Sequence, residues 1–321
     1  MIKPITISVY ELMGKFPNET AARLHFEKKR WKGQPVCPRC NSNFRQYARR
    51  TRPGYFLCKN CNNEYTVKTG TVFERAHIPL HKCLFGLYLY VTARKGISAL
   101  QLSKELGIEW NSAWFLLQRI REACGEENPP LLKGEVEADE AYFRGKEKNK
   151  HASKKQKLGR GVAGKTPVLG LRERGGRTQV IVLKDTSKKT IQDELNKRID
   201  KDATLYTDEH ASYQGNKFIH KTVDHSKKQF VDGPAHTNSA ESLWAVSKRA
   251  EYGTYHNTSD KHRQRYANEY AFRLNDGNVK YHTMDRIDSL LNKSIGKRLT
   301  YKRLTKGNPE YIKMDNIKYE N

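Results

Sequence analysis

Residues 134–143, GEVEADEAYF, decide how the second half of the chain is expected to fold. Alternation with a period of two predicts a strand that carries Glu135, Glu137 and Asp139 on one face. Glu140 would point to the opposite face. Downstream, composition and periodicity predict further elements in this order: strands 167–172 and 178–184, helix 187–199, strands 203–207 and 218–223, and helix 238–250. This order predicts an α/β domain with a mixed sheet over residues 131–255.

A basic insertion interrupts this pattern at residues 144–165. It contains nine Lys or Arg and a single acid, Glu147, and it has no hydrophobic periodicity, so we expect a loop. The C-terminal segment, residues 256–321, is expected to form a helix that packs on the α/β domain, followed by a basic tail. The helical spacing there is carried by four residues, His262, Arg265, Tyr266 and Glu269.

The chain of 321 residues is strongly basic, with 60 Lys and Arg against 35 Asp and Glu and a formal net charge of +25. Such an excess indicates a polyanionic partner, because each phosphate neutralised by a cationic side chain releases condensed counterions. A membrane is not expected, since the longest apolar run, residues 83–92, is too short to span one. The first six residues lack a hydrophobic signal core. We therefore expect a reducing, cytoplasmic location, where cysteines are metal ligands or buried thiols before disulfides.

Four of the six cysteines form two close pairs, Cys37 with Cys40 and Cys58 with Cys61, which 17 residues separate. Two residues between cysteines allow one tight turn to present both thiolates to the same ion, and four thiolates complete a tetrahedral site. The spacing therefore predicts a structural zinc ribbon over residues 31–75. The alternative is a redox dithiol, which would require one such pair rather than two.

Helical patterns flank the ribbon. Residues 1–30 are expected to form an N-terminal helical segment, with a helix over residues 8–30. Residues 76–126 are expected to contain a helix-turn-helix, with helices over 98–106 and 109–122 around a Gly-Ile turn. The N-Pro-Pro sequence that follows predicts a domain boundary.

The second helix of this pair would enter the major groove of DNA with its N-terminal residues near base edges. Asn111, Ser112 and Gln118 are the candidate base-reading residues, and Arg119 and Arg121 would lie near phosphates. The alternative is a plain helical hairpin that packs or dimerises.

Three acidic residues are expected to meet at one edge of the mixed sheet. Asp139 lies near the end of the first strand, Asp208 follows the strand 203–207, and Glu241 lies in the first turns of a helix. Three converging carboxylates can hold two Mg²⁺ or Mn²⁺ ions for phosphoryl transfer. Glu137 is a rival for Asp139 and Glu209 a rival for Asp208. Each acid could also simply pair with a Lys or Arg.

Five short segments have distinctive sequence motifs: residues 136–142 (VEADEAY), 145–151 (GKEKNKH), 206–209 (YTDE), 236–238 (HTN) with Glu241, and 253–256 (GTYH). They closely resemble the zinc-ribbon-bearing insertion-sequence transposases of bacteria and archaea, which have a DDE-type domain. The resemblance extends from the ribbon to about Asn275. It implies a ribonuclease-H-like catalytic domain in which Asp139, Asp208 and Glu241 are the metal-binding catalytic acids.

The resemblance also implies a lysine two helical turns after the third acid, and Lys248 occupies that position. Its ammonium would contact a DNA phosphate near the metal ions, whereas the alternative is an ordinary surface lysine. Ala141 departs from the family pattern, in which a threonine is expected beside the first acid. This small side chain should not affect metal binding.

The expected protein is thus a multi-domain α+β DNA transposase. A zinc ribbon and a helix-turn-helix would bind the terminal inverted repeats of an insertion sequence, and the DDE domain would cleave and join DNA strands. Holding two DNA ends implies a homodimer or a larger assembly, and DNA binding implies association with the nucleoid. The alternatives are a non-catalytic DNA-binding regulator and a plain metal-dependent nuclease.

Overall fold

The computed structural model describes residues 6–143, 165–223, 238–256 and 258–305. Most of the predicted basic insertion, including the 145–151 segment, lies outside the described residues. The same holds for residues 236–237 and for the C-terminal residues 306–321. In the described part of the chain, no helix is both long enough and apolar enough to cross a membrane.

The N-terminal segment forms two helices where the sequence predicted one, α1 (Val9–Lys15) and α2 (Glu19–Trp31). Pro17 explains the break, because a proline disfavours helical backbone at the residue before it. Asn18 then starts α2, since its Oδ1 accepts a hydrogen bond from the Ala21 amide at 3.0 Å.

Three short strands follow, β1 (Gln46–Ala48), β2 (Tyr55–Cys58) and β3 (Asn63–Thr66), in an antiparallel sheet of order β1-β2-β3. Trp31 at the end of α2 packs edge-on against two aromatic residues of this sheet. Its ring centroid lies 5.1 Å from that of Phe56 and 5.8 Å from that of Tyr65. These contacts join the small sheet to the N-terminal helices.

A mainly helical core packs against this sheet. It contains α3 (Leu80–Thr92), α4 (Ala99–Leu106) and α5 (Trp110–Cys124), together with α9 (Thr283–Lys293) from the C-terminal segment. Helices α4 and α5 meet at Gly107, whose φ of +57° is a left-handed conformation that glycine adopts without steric cost. Two helices around a tight turn were predicted at this place. The return of α9 to the N-terminal helices was not, because the C-terminal segment was expected to pack on the α/β domain.

The second half of the chain forms a mixed five-stranded sheet. Its strands are β4 (Glu135–Phe143), β5 (Thr166–Glu173), β6 (Thr178–Val182), β7 (Thr204–Asp208) and β8 (Ile219–Val223). The spatial order is β6-β5-β4-β7-β8. The pairs β4–β5 and β5–β6 are antiparallel, whereas β4–β7 and β7–β8 are parallel. The sheet therefore has the mixed pairing that the sequence predicted.

Helices cover both faces of this sheet. Helix α6 (Lys188–Arg198) packs on one face, against apolar residues that include Val136 and Ala138. Helices α7 (Asn238–Ala250) and α8 (Asp260–Leu274) pack on the other face, against Ala141 and Phe143. A π-helical turn, Glu251–Tyr255, links α7 to α8, and a short helix α10 (Tyr301–Thr305) lies near the end of the described chain. Even-numbered and odd-numbered residues of β4 thus face different helices, as its alternation predicted.

Side-chain amides of α8 and of the residue that follows it pair with the outer edge of β6. Gln264 accepts a hydrogen bond from the Val182 amide at 2.8 Å and donates to the Val180 carbonyl at 2.9 Å. Asn275 exchanges two hydrogen bonds of 2.8 Å with the backbone of Thr178. These contacts take the place of a neighbouring strand, so this edge is closed to further strand pairing.

Candidate metal centres

The four cysteines of the ribbon lie together, with their sulfur atoms all within 4.8 Å of one another. The Sγ atoms of Cys37 and Cys61 are 3.6 Å apart, and those of Cys40 and Cys58 are also 3.6 Å apart. Zn–S bonds of about 2.3 Å in a tetrahedron place the sulfurs about 3.8 Å apart, so the four thiols fit a zinc ion. The N-terminal region therefore contains the four-cysteine metal site of a zinc ribbon.

Hydrogen bonds favour the thiolate form of Cys58. Burial alone would raise its pKa, but the Gln46 side-chain amide and the backbone amides of Cys61 and Asn60 lower the pKa of the Cys58 thiol to about 6. Gln46 Nε2 lies 3.3 Å from the Cys58 sulfur, and the Tyr65 hydroxyl donates to Gln46 Oε1 at 2.9 Å. Because zinc binds the thiolate, these donors prepare the ligand for the metal.

Neighbouring parallel strands bring two of the three predicted acids together. Asp139 lies in β4, and Asp208 is the last residue of β7. Glu137 pairs with Tyr206 across these strands, and the same register continued by two residues puts Asp208 beside Asp139. Glu241 lies in the first turn of α7, which packs on the same face of the sheet. Asp139 and Glu241 therefore lie on the same side of the sheet.

The electrostatic environment of Asp139 includes the other two predicted acids. Burial, then the negative charge of Asp208 and more weakly that of Glu241, raise the pKa of Asp139 to about 6. The Glu140 backbone amide, which donates to Asp139 Oδ1 at 2.8 Å, and the neighbouring Trp244 act in the opposite direction. Carboxylate oxygens are the ligands that a hard divalent cation prefers, so these residues could hold such an ion.

This carboxylate site is wider than the thiolate site. Among the residues that the structure describes, the four cysteines are the only group of three or more potential ligands whose atoms all lie within 4.8 Å. The carboxylates of Asp139, Asp208 and Glu241 therefore leave more space between them. Asp139 and Asp208 are half-buried and Glu241 is exposed, so the site opens to solvent.

The two neighbouring acids of β4 have other surroundings. Glu137 is completely buried, and its carboxylate accepts hydrogen bonds from Arg174 and from the backbone amides of Ser239 and Ala240. Glu140 lies toward the α6 face, where burial is the main cause that raises its pKa to about 7. The negative charges of Asp208 and Asp139 also raise the pKa of Glu140, so Glu140 is close to these two acids.

Lys248 lies on α7, and its side chain and that of Glu241 are both exposed. Residues seven positions apart lie on one side of a helix. Trp244, between them in sequence, is buried against the sheet. Lys248 and Glu241 therefore share the outer side of α7. Glu209, the rival of Asp208, follows the end of β7 and is exposed.

Two residues of β5 that the sequence analysis did not single out hold α7 on the sheet. Gly170 pairs with Asp139, and a Cβ atom on this glycine would lie 2.6 Å from Trp244 and 2.8 Å from Leu243. Arg172 donates a hydrogen bond of 2.9 Å to a carbonyl in the first turn of α7. A glycine inside a strand is a sequence signal for such a close approach, whereas the arginine gives no signal of its role.

The structure corrects three of the five predicted DNA contacts in α5. The side chains that are buried are those of Gln118, Arg119 and Arg121. Arg121 Nε donates to the buried Glu269 of α8 at 2.8 Å, and Arg119 donates to the Glu74 carbonyl at 3.0 Å. The second half of α5 thus contacts both α8 and the segment that contains Glu74. The sequence of α5 alone does not reveal these tertiary contacts.

The N-terminal end of α5 remains accessible. Asn111 is exposed and Ser112 is half-buried. Trp110 is 50% exposed and stacks on Trp114 with a centroid distance of 6.4 Å. The residue before this helix, Glu109, makes no capping hydrogen bond to its first backbone amides.

Two regions of the chain match known protein families. Residues 17–64 match the transposase zinc-ribbon domain, and residues 131–275 match the ISXO2-like transposase domain. A relative described as an uncharacterized protein in transposable element ISH50, from Halobacterium salinarum, is 29% identical over 254 residues. That alignment covers 73% of this chain and 83% of the relative. In both regions the chain is therefore similar to the zinc-ribbon-bearing insertion-sequence transposases.

The two matched regions contain the two candidate metal centres. All four cysteines lie within residues 17–64, and the three acids and Lys248 lie within residues 131–275. Helices α4 and α5 lie between the matched regions, so a DNA-binding role for this pair rests on their own geometry.

Proposed function

We propose that this protein is a DNA transposase that binds the terminal inverted repeats of an insertion sequence and catalyses metal-dependent strand cleavage and strand transfer. The observation that carries the proposal is the convergence of Asp139 and Asp208 on adjacent parallel strands, with Glu241 close enough to raise the pKa of Asp139. The order of the five strands and the helices on both faces support a ribonuclease-H-like domain.

Asp139, Asp208 and Glu241 would hold two Mg²⁺ or Mn²⁺ ions, since these metals prefer hard oxygen ligands and retain positions for water and phosphate. When bound, such a pair would activate the attacking oxygen and stabilise the leaving oxygen of an in-line displacement at phosphorus. The exposed Lys248, on the same side of α7 as Glu241, would contact a DNA phosphate beside the acids.

The proposed chemistry is two successive displacements. In the first, water attacks the scissile phosphodiester at the element end, and the bond from phosphorus to the 3′ oxygen breaks to give a free 3′-OH. In the second, this hydroxyl attacks a phosphodiester of the target, a new P–O bond forms, and the target's own 3′ oxygen leaves. Neither step needs a covalent bond to the protein.

DNA recognition would use the exposed surfaces of the N-terminal half. Asn111 and Ser112, at the accessible end of α5, would read base edges, and the arginine-rich ribbon would contact phosphates. Transposition requires two DNA ends in one complex, so a dimer or a larger assembly on DNA is part of the proposal.

The test is cleavage and joining of a labelled element-end duplex with Mg²⁺, comparing the wild type with Asp208→Asn. We expect metal-dependent products from the wild type and none from the variant, while both bind the duplex equally. The variant keeps the shape of the side chain but removes a charge that the ions require. Equal activity in both would show that the catalytic acids are elsewhere.

Two other results would assign a different function. Binding of the duplex without cleavage by either protein would indicate a DNA-binding regulator. A second substrate with a pre-cleaved 3′ end tests joining alone: a transposase gives a recombinant product, whereas a plain nuclease gives none.

A further inference from the structure

A completely buried carboxylate, that of Glu137, lies between β4 and the start of α7. Burying a charge is costly unless hydrogen bonds or opposite charges compensate it. Glu137 Oε1 accepts a hydrogen bond of 2.8 Å from Arg174 Nε. Glu137 Oε2 accepts hydrogen bonds of 2.9 and 3.1 Å from the backbone amides of Ser239 and Ala240. Both oxygens are therefore engaged by the protein itself.

The two backbone amides belong to the first turn of α7 and have no acceptor within their own helix. A helix start is usually capped by the residue just before it, but this acceptor comes from a strand 102 residues earlier than Ser239. The positive end of the helix dipole adds to the attraction. Glu137 thus fixes both the position of this turn and its direction relative to β4.

A second contact holds the same turn from the neighbouring strand. Arg172, the partner of Glu137 across β4 and β5, donates to the Ser239 carbonyl at 2.9 Å and to the Ser242 hydroxyl at 2.8 Å. Glu241 lies between these anchored positions, yet its own side chain is exposed. The turn is fixed by its backbone and its neighbours, which leaves the Glu241 carboxylate available.

We propose that Glu137 is a positioning residue: it anchors the first turn of α7 to β4 so that the Glu241 carboxylate stays beside Asp139. Glu137 is accordingly not a metal ligand, although it lies on the same face of the strand as Asp139. The inference rests on the proposed function, because the place of Glu241 matters for metal binding only if Glu241 is a ligand.

The test uses Glu137→Gln in the full-length protein, with Glu135→Gln as the matched control. Glu135 lies on the same face of β4 and also contacts Arg174, at 3.4 Å, but its side chain is 47% exposed. Glutamine keeps the size of the side chain but lacks its charge. Its NH₂ group cannot accept the hydrogen bonds that the Glu137 carboxylate accepts from Arg174 and from the backbone amides of α7. In the Glu137→Gln protein, we expect the Ser239 and Ala240 amides to exchange hydrogen about tenfold faster than in the wild type.

We also expect Mn²⁺ to bind the Glu137→Gln protein about ten to a hundredfold more weakly, measured by titration calorimetry, as for other residues that orient a ligand. Cleavage should fall with DNA-end affinity unchanged, and higher Mn²⁺ should restore it. Rescue by metal separates positioning from general destabilisation, which added ions would not reverse at a temperature where the protein remains folded. Glu135→Gln should match the wild type in all these measurements.

Glu137→Asp provides a second variant if Glu137→Gln does not fold, because aspartate keeps the charge but withdraws it from α7 by one methylene. Wild-type Mn²⁺ affinity together with wild-type amide exchange in the folded variant would overturn the positioning role. Failure of the proposed function would look different: the wild type itself would neither bind Mn²⁺ through Asp208 nor cleave DNA, whatever the Glu137 variants do.

Discussion

The two candidate metal centres are built in opposite ways. The four thiols come from a stretch that begins at Cys37 and ends at Cys61, and their sulfurs all lie within 4.8 Å of one another. The three carboxylates come from two strands and a helix. The first and the last of them, Asp139 and Glu241, are 102 positions apart in the sequence. The four thiols are compact enough for one tetrahedral ion, whereas the carboxylates leave their site open to solvent.

The two sites depend on the rest of the fold to different extents. Two local turns make the thiolate site, and four sulfurs complete the tetrahedral coordination of zinc. The carboxylate site exists only while α7 is held against β4 and β5, because Glu241 comes from that helix. Its open side leaves room for water and phosphate, which a reacting metal centre requires. We expect the two sites to fail independently.

The largest effect is expected from Cys58→Ser, which removes one zinc ligand. Structural zinc contributes on the order of 10 kcal/mol to the folding of small zinc domains, so the ribbon should lose both its metal and its fold. Zinc content, measured by atomic absorption, should fall from one ion per chain to none, and binding of element ends should weaken. Mn²⁺ binding at the acids should remain, because no ligand of that site comes from the ribbon.

Cys83→Ser is the matched control, since Cys83 is a buried thiol of α3 outside the ribbon cluster. It should retain zinc. A Cys58→Ser protein with full zinc content would show that the ribbon assignment is wrong. Loss of Mn²⁺ binding in the same variant would show that the two centres are coupled.

Gly170→Ala should damage the carboxylate site and leave the ribbon intact. The added Cβ would lie 2.6 Å from the Trp244 side chain and 2.8 Å from the Leu243 side chain, so these side chains of α7 must shift, and we expect α7 to move with them. Such overpacking costs about 1–3 kcal/mol, which thermal unfolding would detect. Cleavage should fall as Glu241 moves, with zinc content unchanged.

Gly14→Ala is the control for this substitution, because a Cβ on Gly14 of α1 meets no atom within 4 Å. It should leave cleavage unchanged. If Gly170→Ala cleaved DNA at the wild-type rate, the close packing of α7 on the sheet would be irrelevant to the reaction.

The pH dependence of metal binding should distinguish the carboxylate site. The folded-state pKa of Asp139, about 6, lies above its ordinary value of 3.8, so the folded protein binds this proton more tightly than the unfolded chain. The resulting stability of the metal-free protein is present below the ordinary pKa and is lost as pH rises through about 6. Mn²⁺ needs the carboxylate, so its affinity should change in the opposite direction.

Below the folded-state pKa, each unit decrease in pH should weaken Mn²⁺ binding by about tenfold if one proton is displaced. Titration calorimetry between pH 5 and 7 would measure this slope, and zinc content in the same samples would report on the ribbon. In Asp139→Asn the slope should flatten. An identical slope in that variant would assign the proton to another group.

The sequence predicted local features better than tertiary ones. The cysteine spacing located the ribbon ligands, because zinc coordination depends on short turns. Alternation placed Asp139 and Glu140 on different faces of β4, and the helices that cover both faces of the sheet agree with it. Glu137 stayed a rival ligand in the sequence, because alternation puts it on the same face as Asp139. Its contacts with α7 depend on a helix that starts about a hundred positions later, which no local pattern encodes.

Helix α5 shows the same limit. Its basic residues predicted phosphate contacts, but Arg121 is buried against Glu269 and is surrounded by aromatic rings of Tyr255 and Tyr266. The sequence does not distinguish a buried arginine from an exposed one, and Glu269, the partner of Arg121, lies 148 residues away. The hydrophobic spacing of α5 revealed its first packing face and missed the second, which α8 covers.

The smallest expected effect, from Asn111→Ala, tests whether the exposed end of α5 reads DNA. Loss of a side-chain contact to a base costs about 1–3 kcal/mol, and we expect the lower limit for one exposed residue. Binding to the element end should therefore weaken by roughly fivefold to tenfold, measured by fluorescence anisotropy, with unchanged affinity for unrelated DNA and an unchanged melting temperature. Asn196→Ala, an exposed asparagine of α6, is the matched control. Equal affinity of both variants for the element end would make α4 and α5 a packing hairpin, and sequence recognition would then belong to the ribbon.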